Sequence, residues 1–303
     1  RFWQEIRREF DREYPEAALI AEWGHPAEAI RAGFHVDFMI HFGLPGYPSL
    51  FFNERGTFTR KEPCYFDRRG QGCVREFIDS YVPQFQRVKK KGWISIPSAN
   101  HDYQRPGGTR GPREMQVLFT FILTWPGVPM IYYGDEIGMR FLEGLPSKEG
   151  GYGRTGTRTP MQWDATRNAG FSAASAARLY LPIDPKKDRP TVAAQEGRAG
   201  SLLNTVRQLT ALRQSESALQ ADGELTILYA KPKTYPFVYL RGSGRNRFLI
   251  AVHPAARPVQ ATFDLPKTRG AELVLGKGTT VTLEAGKCKL EMTGLAYAVF
   301  RLT

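Results

Sequence analysis

Apolar and polar positions follow two different rhythms along this chain. Phe2, Trp3, Ile6 and Phe10 recur at helical spacing among Arg7, Arg8, Asp11 and Arg12, which predicts an amphipathic helix ended by Pro15. Ala17 to Ala21 reads as a short buried strand that stops at Glu22-Trp23-Gly24-His25. Pro26 suits the first turn of a short helix that Gly33 closes. From Phe34 to Phe42 the pattern alternates strictly, with Val36, Phe38, Ile40 and Phe42 on one face and His35, Asp37, Met39 and His41 on the other, as in a strand. After a loop rich in Gly, Pro and aromatics, helical spacing returns at Val74, Phe77, Ile78, Tyr81, Phe85 and Val88, with Pro83 expected to kink or restart the helix. Trp93 to Pro97 is a third strand. Pro112 leads into a nearly all-apolar helix from Glu114 to Leu123, and Val128 to Tyr133 is a fourth strand ending in Gly134-Asp135-Glu136.

Strand and helix alternate throughout this part, the pattern of parallel βαβ units with right-handed crossovers. The connection from Gly138 to Arg198 is rich in Gly, Arg and Pro and longer than structure alone requires, so it reads as a ligand-facing loop. A helix through Leu202, Leu203, Val206, Leu209 and Leu212, capped by Ser201, closes the region. Beyond Gly223 the rhythm becomes all-β. Short strands are predicted at Leu225 to Tyr229, Phe237 to Arg241, Phe248 to His253, Val259 to Phe263, Ala271 to Leu275, Thr280 to Leu283, Lys287 to Met292 and Tyr297 to Leu302, which together suggest a small antiparallel β-sandwich. No titratable groups cluster there, so this part is assigned packing and not chemistry.

The third strand ends abruptly in Asn100-His101-Asp102, after Ser98 and Ala99. Polar residues at the C-terminal end of a parallel barrel strand sit where ligands bind. The plainer reading is a turn that uses Asn and Asp as turn formers. Composition narrows the rest. A chain of 303 residues, 42% hydrophobic and 24% charged, buries a substantial core. Its net charge of +12 is spread along the sequence, and the tight run Lys89-Lys90-Lys91 closes an amphipathic helix, where it complements the helix dipole. Nucleic-acid binding is not expected, because no basic stripe with interleaved aromatics accompanies the charge. No membrane span is expected either, since Pro126, Gly127 and Pro129 cut the most apolar window. Cys64, Cys73 and Cys288 are an odd count without Cys-x-x-Cys spacing, which argues against zinc and disulfides and suits the cytoplasm.

Leu19-Ile20-Ala21-Glu22-Trp23 resembles the segment that carries the acid/base glutamate of the α-amylase family, glycoside hydrolase family 13, and Ser98-Ala99-Asn100-His101-Asp102 resembles its Asn-His-Asp segment. Two further stretches, Ile131-Tyr132-Tyr133-Gly134-Asp135-Glu136-Ile137-Gly138 and Arg158-Thr159-Pro160-Met161-Gln162-Trp163-Asp164 with Asn168-Ala169-Gly170-Phe171-Ser172, are similar to the branch of α-glucosidases, oligo-1,6-glucosidases and trehalose synthases. The resemblance implies a (β/α)8 barrel with a C-terminal β domain, acting on α-glucosidic bonds of oligosaccharides or disaccharides. It implies Glu22 as general acid/base and Asp102 as stabiliser of the oxocarbenium-like transition state. Asn100, His101 and Arg158 are then substrate-binding residues, while Asp135 and Glu136 are expected to hold neighbouring backbone.

One element of the family pattern is missing. Its nucleophile is an aspartate in a Gly-Phe-Arg-x-Asp-like strand that precedes the acid glutamate. Gly33-Phe34-His35-Val36-Asp37 imitates that strand but follows Glu22 and carries His35 in place of the arginine, so Asp37 is expected in the barrel interior. His35-x-Asp37 also mimics the start of an iron-binding triad, but the fold is wrong for one. Only four strand–helix units precede the β part, whereas the barrel closes with eight. The expected organisation is therefore barrel strands five to eight over residues 1–220 and a β-sandwich over 221–303. Strands one to four, with the nucleophile and any calcium-binding loops, are expected upstream of Arg1. No metal or cofactor is assigned to this chain, which is expected to be inactive alone. An isomerase of the trehalose-synthase kind and a non-catalytic, partner-binding relative are the competing functions.

Overall fold

The computed structural model describes residues 1–40, 42–52, 63–148 and 153–303, so His41 of the alternating strand lies outside the described residues. The parallel region runs α1 (Phe2–Glu13), β1 (Ile20–Ala21), α2 (Pro26–Ala32), β2 (Val36–Phe38), α3 (Pro48–Phe51), α4 (Arg75–Val88), β3 (Trp93–Pro97), α5 (Pro112–Thr124) and β4 (Val128–Met130). The four strands pair in parallel in chain order, with Ala21 opposite Asp37, Asp37 opposite Ile94 and Ser95 opposite Val128. β3 has the expected bounds, whereas β1, β2 and β4 are shorter than the sequence suggests, since β1 and β4 are paired on one side only and the ladder ends where the partner ends. Helix α4 runs unbroken through Pro83, contrary to the expected kink or restart. Asp79 four residues back loses one backbone bond there, but Phe77, Ile78, Tyr81 and Phe85 are buried on either side of the proline and hold the helix by packing.

In β2 the polar face proves as buried as the apolar one. His35 and Asp37 are both enclosed, as are Val36 and Ile40. His35 accepts from the Leu19 backbone N–H at Nδ1 (2.9 Å), so its Nε2 carries the proton and donates to Asp11 of α1 at 3.0 Å. Arg7 completes this link by bonding Asp11 at 2.9 Å. These polar bonds hold α1, none of whose residues is buried: Phe2 stays 66% and Trp3 43% exposed. His35 thus serves as a structural strut, which removes the iron-site reading.

After β4 the chain passes through short 3-10 turns to α6 (Val192–Glu196) and α7 (Leu202–Ser215), where the Ser201 hydroxyl caps by accepting from Asn204 N–H at 3.2 Å. The second sheet contains β5 (Leu225–Tyr229), β6 (Phe237–Ser243), β7 (Asn246–His253), β8 (Val259–Asp264), β9 (Ala271–Glu284) and β10 (Lys287–Leu302), all antiparallel. It has six strands where eight were predicted. The last two are continuous, because the register shift at Gly278 and Thr293-Gly294-Leu295, and a second one between Val299 and Phe300, are irregularities within the pairing and not turns between strands. A Cβ on Gly276 would meet Tyr297 O at 2.7 Å, so glycine lets the two backbones approach. β10 pairs β9 along its length, β8 with its first half and β7 with its second.

One apolar core joins the two sheets. From Glu114 to Thr124 every residue of α5 is buried, and the rings of Phe121, Trp125, Phe237 and Tyr239 lie between 5.0 and 6.4 Å of one another. The carbonyls at the end of α5 are capped by buried guanidiniums: Arg213 donates to Leu123 O and Trp125 O at 2.9 Å, and Arg241 to Thr124 O. This seals the helix that delivers the chain to β4. No described helix is long and apolar enough to cross a membrane, and no disulfide joins Cys64, Cys73 or Cys288 among the described residues.

Candidate active site

The C-terminal ends of β1 and β3 bring the predicted residues together. One oxygen of Glu22, a ring nitrogen of His101 and one oxygen of Asp102 all lie within 4.8 Å of one another. Glu22 follows β1 directly and is exposed, where the sequence suggested an apolar strand end around it. The reason is local: Trp23 turns outward, 57% exposed, with its indole Nε1 donating to Glu28 at 3.1 Å, and does not cover the carboxyl.

Asn100-His101-Asp102 forms a turn beyond the end of β3. Asn100 forms the turn, its side-chain oxygen accepting from Asp102 N–H at 2.9 Å and its carbonyl accepting from the Thr157 hydroxyl at 3.2 Å. That turn presents His101 and Asp102. Asp102 accepts from Arg154 Nη1 at 2.5 Å and Arg158 Nη2 at 2.9 Å, with His101 Nε2 at 3.6 Å. Burial pushes the Asp102 carboxyl up, but His101 and the two guanidiniums outweigh it and hold it below the usual carboxylate range. Arg158 was expected to reach toward substrate. In the structure it bonds Asp102, and its Nε also donates to His101 O at 2.8 Å.

Beneath this turn lies a buried lock. Ser98, at the end of β3, donates to Asp135 Oδ2 at 2.6 Å and accepts from Tyr132 N–H at 3.0 Å. Asp135 pairs with Arg105 at 2.9 Å, both side chains fully enclosed, and the guanidinium lies 4.6 Å from the ring centroids of Tyr132 and Tyr133. Burial pushes Asp135 up to about 6, against the pull of Arg105 and Ser98. The lock ties the β4 end to the segment that follows Asp102. The sequence suggested that Asp135 holds neighbouring backbone; its carboxylate bonds the side chains of Ser98 and Arg105, and Arg105 was not foreseen. Arg154 was also missed; its only signal is its place among Gly153, Gly156 and Arg158 in the long loop.

Glu22, His101 and Asp102 have the donor count of a divalent-cation site. Two guanidiniums on Asp102 oppose a cation there, and one shared carboxylate cannot serve both. The arrangement instead suits a neutral polyhydroxylated ligand, with a carboxylate, an imidazole and an exposed second carboxyl converging on it.

The described residues thus join a parallel sheet, with two carboxylates converging at its strand ends, to an antiparallel sheet. Residues 1–222 match the family described as "Alpha amylase, catalytic domain", and the chain belongs to the α-amylase family. It is 40% identical over 248 residues to a trehalose synthase/amylase of Mycolicibacterium smegmatis, covering 72% of this chain and 40% of that protein. It is 28% identical over 237 residues to a probable α-glucosidase of Rhizobium meliloti, covering 73% of this chain and 41% of that one. An isomaltulose synthase from Erwinia rhapontici NX5 shares its fold with a TM-score of 0.77 at 19% identity, covering all of this chain and 58% of the solved one. The chain thus spans less than two thirds of these relatives.

Proposed function

We propose that this chain supplies the acid/base side of a retaining α-glucosyl-transfer centre acting on short α-glucosides. The observation that carries the reading is the convergence of Glu22, His101 and Asp102 within 4.8 Å at two strand ends. In this reading Glu22 protonates the departing oxygen and then activates the acceptor, and Asp102, held ionised, stabilises the positive charge that develops on the sugar. His101 donates a hydrogen bond to the same glucosyl unit, and Arg154 and Arg158 fix Asp102. The exposed ring of Trp23 beside Glu22 offers a surface for the departing sugar.

The nucleophile belongs to strands outside this chain. β1 and β4 each keep an unpaired edge among the described residues, as the second half of an eight-stranded barrel would. On this reading residues 1–220 are that half-barrel, residues 221–303 a β-sandwich, and any calcium belongs to the other half. Cysteines without a disulfide among the described residues suit the cytoplasm.

Hydrolysis and isomerisation use the same carboxylates and differ in whether water or the released sugar accepts the glucosyl group. The second outcome is supported by the 40% identity to a trehalose synthase/amylase, against 28% to a probable α-glucosidase. Incubating the full-length enzyme with maltose separates them: glucose marks a hydrolase, trehalose an isomerase. Neither product, from a folded protein, contradicts the proposal and leaves a partner-binding relative.

A further inference from the structure

A buried acid on the neighbouring strand holds the turn that follows Glu22. Asp37 lies on β2 opposite Ala21 of β1, and its side chain is fully enclosed. Its Oδ1 accepts from Trp23 N–H at 2.9 Å and from Gly24 N–H at 3.4 Å, the two amides directly after Glu22. The same turn is clasped from beyond β2, where Leu44 N–H donates to Gly24 O at 3.3 Å. Gly24 has φ +79°, and a Cβ there would come within 2.9 Å of Phe42 O, so only backbone fits against backbone.

The other oxygen of Asp37, Oδ2, is buried with no hydrogen-bond partner among the described residues. A carboxyl with one bare oxygen is a costly way to fill a core position, and an apolar side chain would pack there at less expense. Burial raises its pKa in spite of the backbone donors. What an apolar residue lacks is an acceptor for the Trp23 and Gly24 amides.

The geometry points to Asp37 as a positioning residue for Glu22: its Oδ1 fixes the Trp23–Gly24 turn and with it the direction in which the Glu22 carboxyl leaves β1. This rests on reading Glu22 as the acid/base. A general acid acts only within hydrogen-bond reach of the oxygen it protonates, so a loosened turn penalises substrates in proportion to their need for that proton.

The test compares Asp37→Ala, Asp37→Asn and Glu22→Gln in the full-length enzyme on two substrates. Maltose departs with a poor leaving group, and α-glucosyl fluoride departs without protonation. Asp37→Ala is expected to lower kcat/KM about 100-fold on maltose and less than about fivefold on the fluoride. Asp37→Asn keeps an acceptor oxygen and is expected to stay within about threefold of the parent on both. Equal losses on both substrates in Asp37→Ala, or an Asn variant as impaired as the Ala one, overturn the inference. Selective loss in Glu22→Gln with none in Asp37→Ala overturns it alone, whereas equal losses in Glu22→Gln overturn the acid/base reading and this inference with it.

Discussion

The two sheets solve the problem of strand ends in opposite ways. β1 to β4 have two, three, five and three residues, and their C-terminal ends run out into Glu22, Asp102 and the Ser98–Asp135–Arg105 lock. β9 and β10 have 14 and 16 residues, and they end in turns and ordinary surface pairs. The parallel region leaves Ile20, Trp93 and Ile131 substantially exposed, while in β10 the run Ala296–Phe300 is wholly buried. The first sheet has open edges and carboxylates at its strand ends; the second also exposes side chains, Leu273 and Val274 of β9 among them, but no such carboxylate cluster is found there among the described residues. On the proposed function, chemistry belongs to the first region and packing to the second.

Four substitutions break or sharpen that contrast, from the largest expected effect downward. Asp102→Asn in the full-length enzyme removes the charge facing the sugar and strands two guanidiniums, and is expected to cut kcat on maltose by about 10²- to 10³-fold while leaving the melting temperature nearly unchanged. Trp125→Ala acts where the regions meet and is expected to cost about 3–5 kcal/mol in a denaturant melt, since the indole is fully buried among Phe121, Phe237 and Tyr239.

Arg154→Ala addresses the pH dependence. Asp102 has a depressed pKa, so the stabilisation it gains from its partners is present above the ordinary carboxylate value and is lost as pH falls through the lowered one. Removing Arg154 raises that pKa. The acid limb of the rate profile is then expected to move to higher pH, with a loss of about tenfold at neutral pH. Lys289→Ala breaks an exposed pair with Glu291 on β10 and is expected to change neither melting temperature nor rate. A rate loss there would give the antiparallel sheet a role in catalysis.

Much of the parallel region was legible because its polar residues violate the local pattern. Glu22 and Asn100-His101-Asp102 stop apolar runs, and side chains that do so at strand ends have few uses in a core. Long-range polar partners leave no such mark. Arg105 meets Asp135 across 30 residues and Arg154 meets Asp102 across 52, and neither spacing belongs to a helix or a strand. The bond from Arg158 to Asp102 was hidden for the same reason: an arginine in a loop announces a charge and not the carboxylate it reaches. In the second region, the breaks predicted after Leu275 and Met292 fall within continuous strands, because bulge and turn draw on the same residue, here Gly278 and Gly294, and only the pairing of β9 with β10 tells them apart.

Hydrogen exchange of the full-length enzyme with and without a non-cleavable thio-linked maltose tests the division most directly. Slowed exchange in the peptides covering Glu22–Gly24 and Asn100–Asp102, with residues 225–302 unchanged, is the result this account predicts. Protection centred on the antiparallel sheet, with those two strand ends exchanging as before, would contradict it.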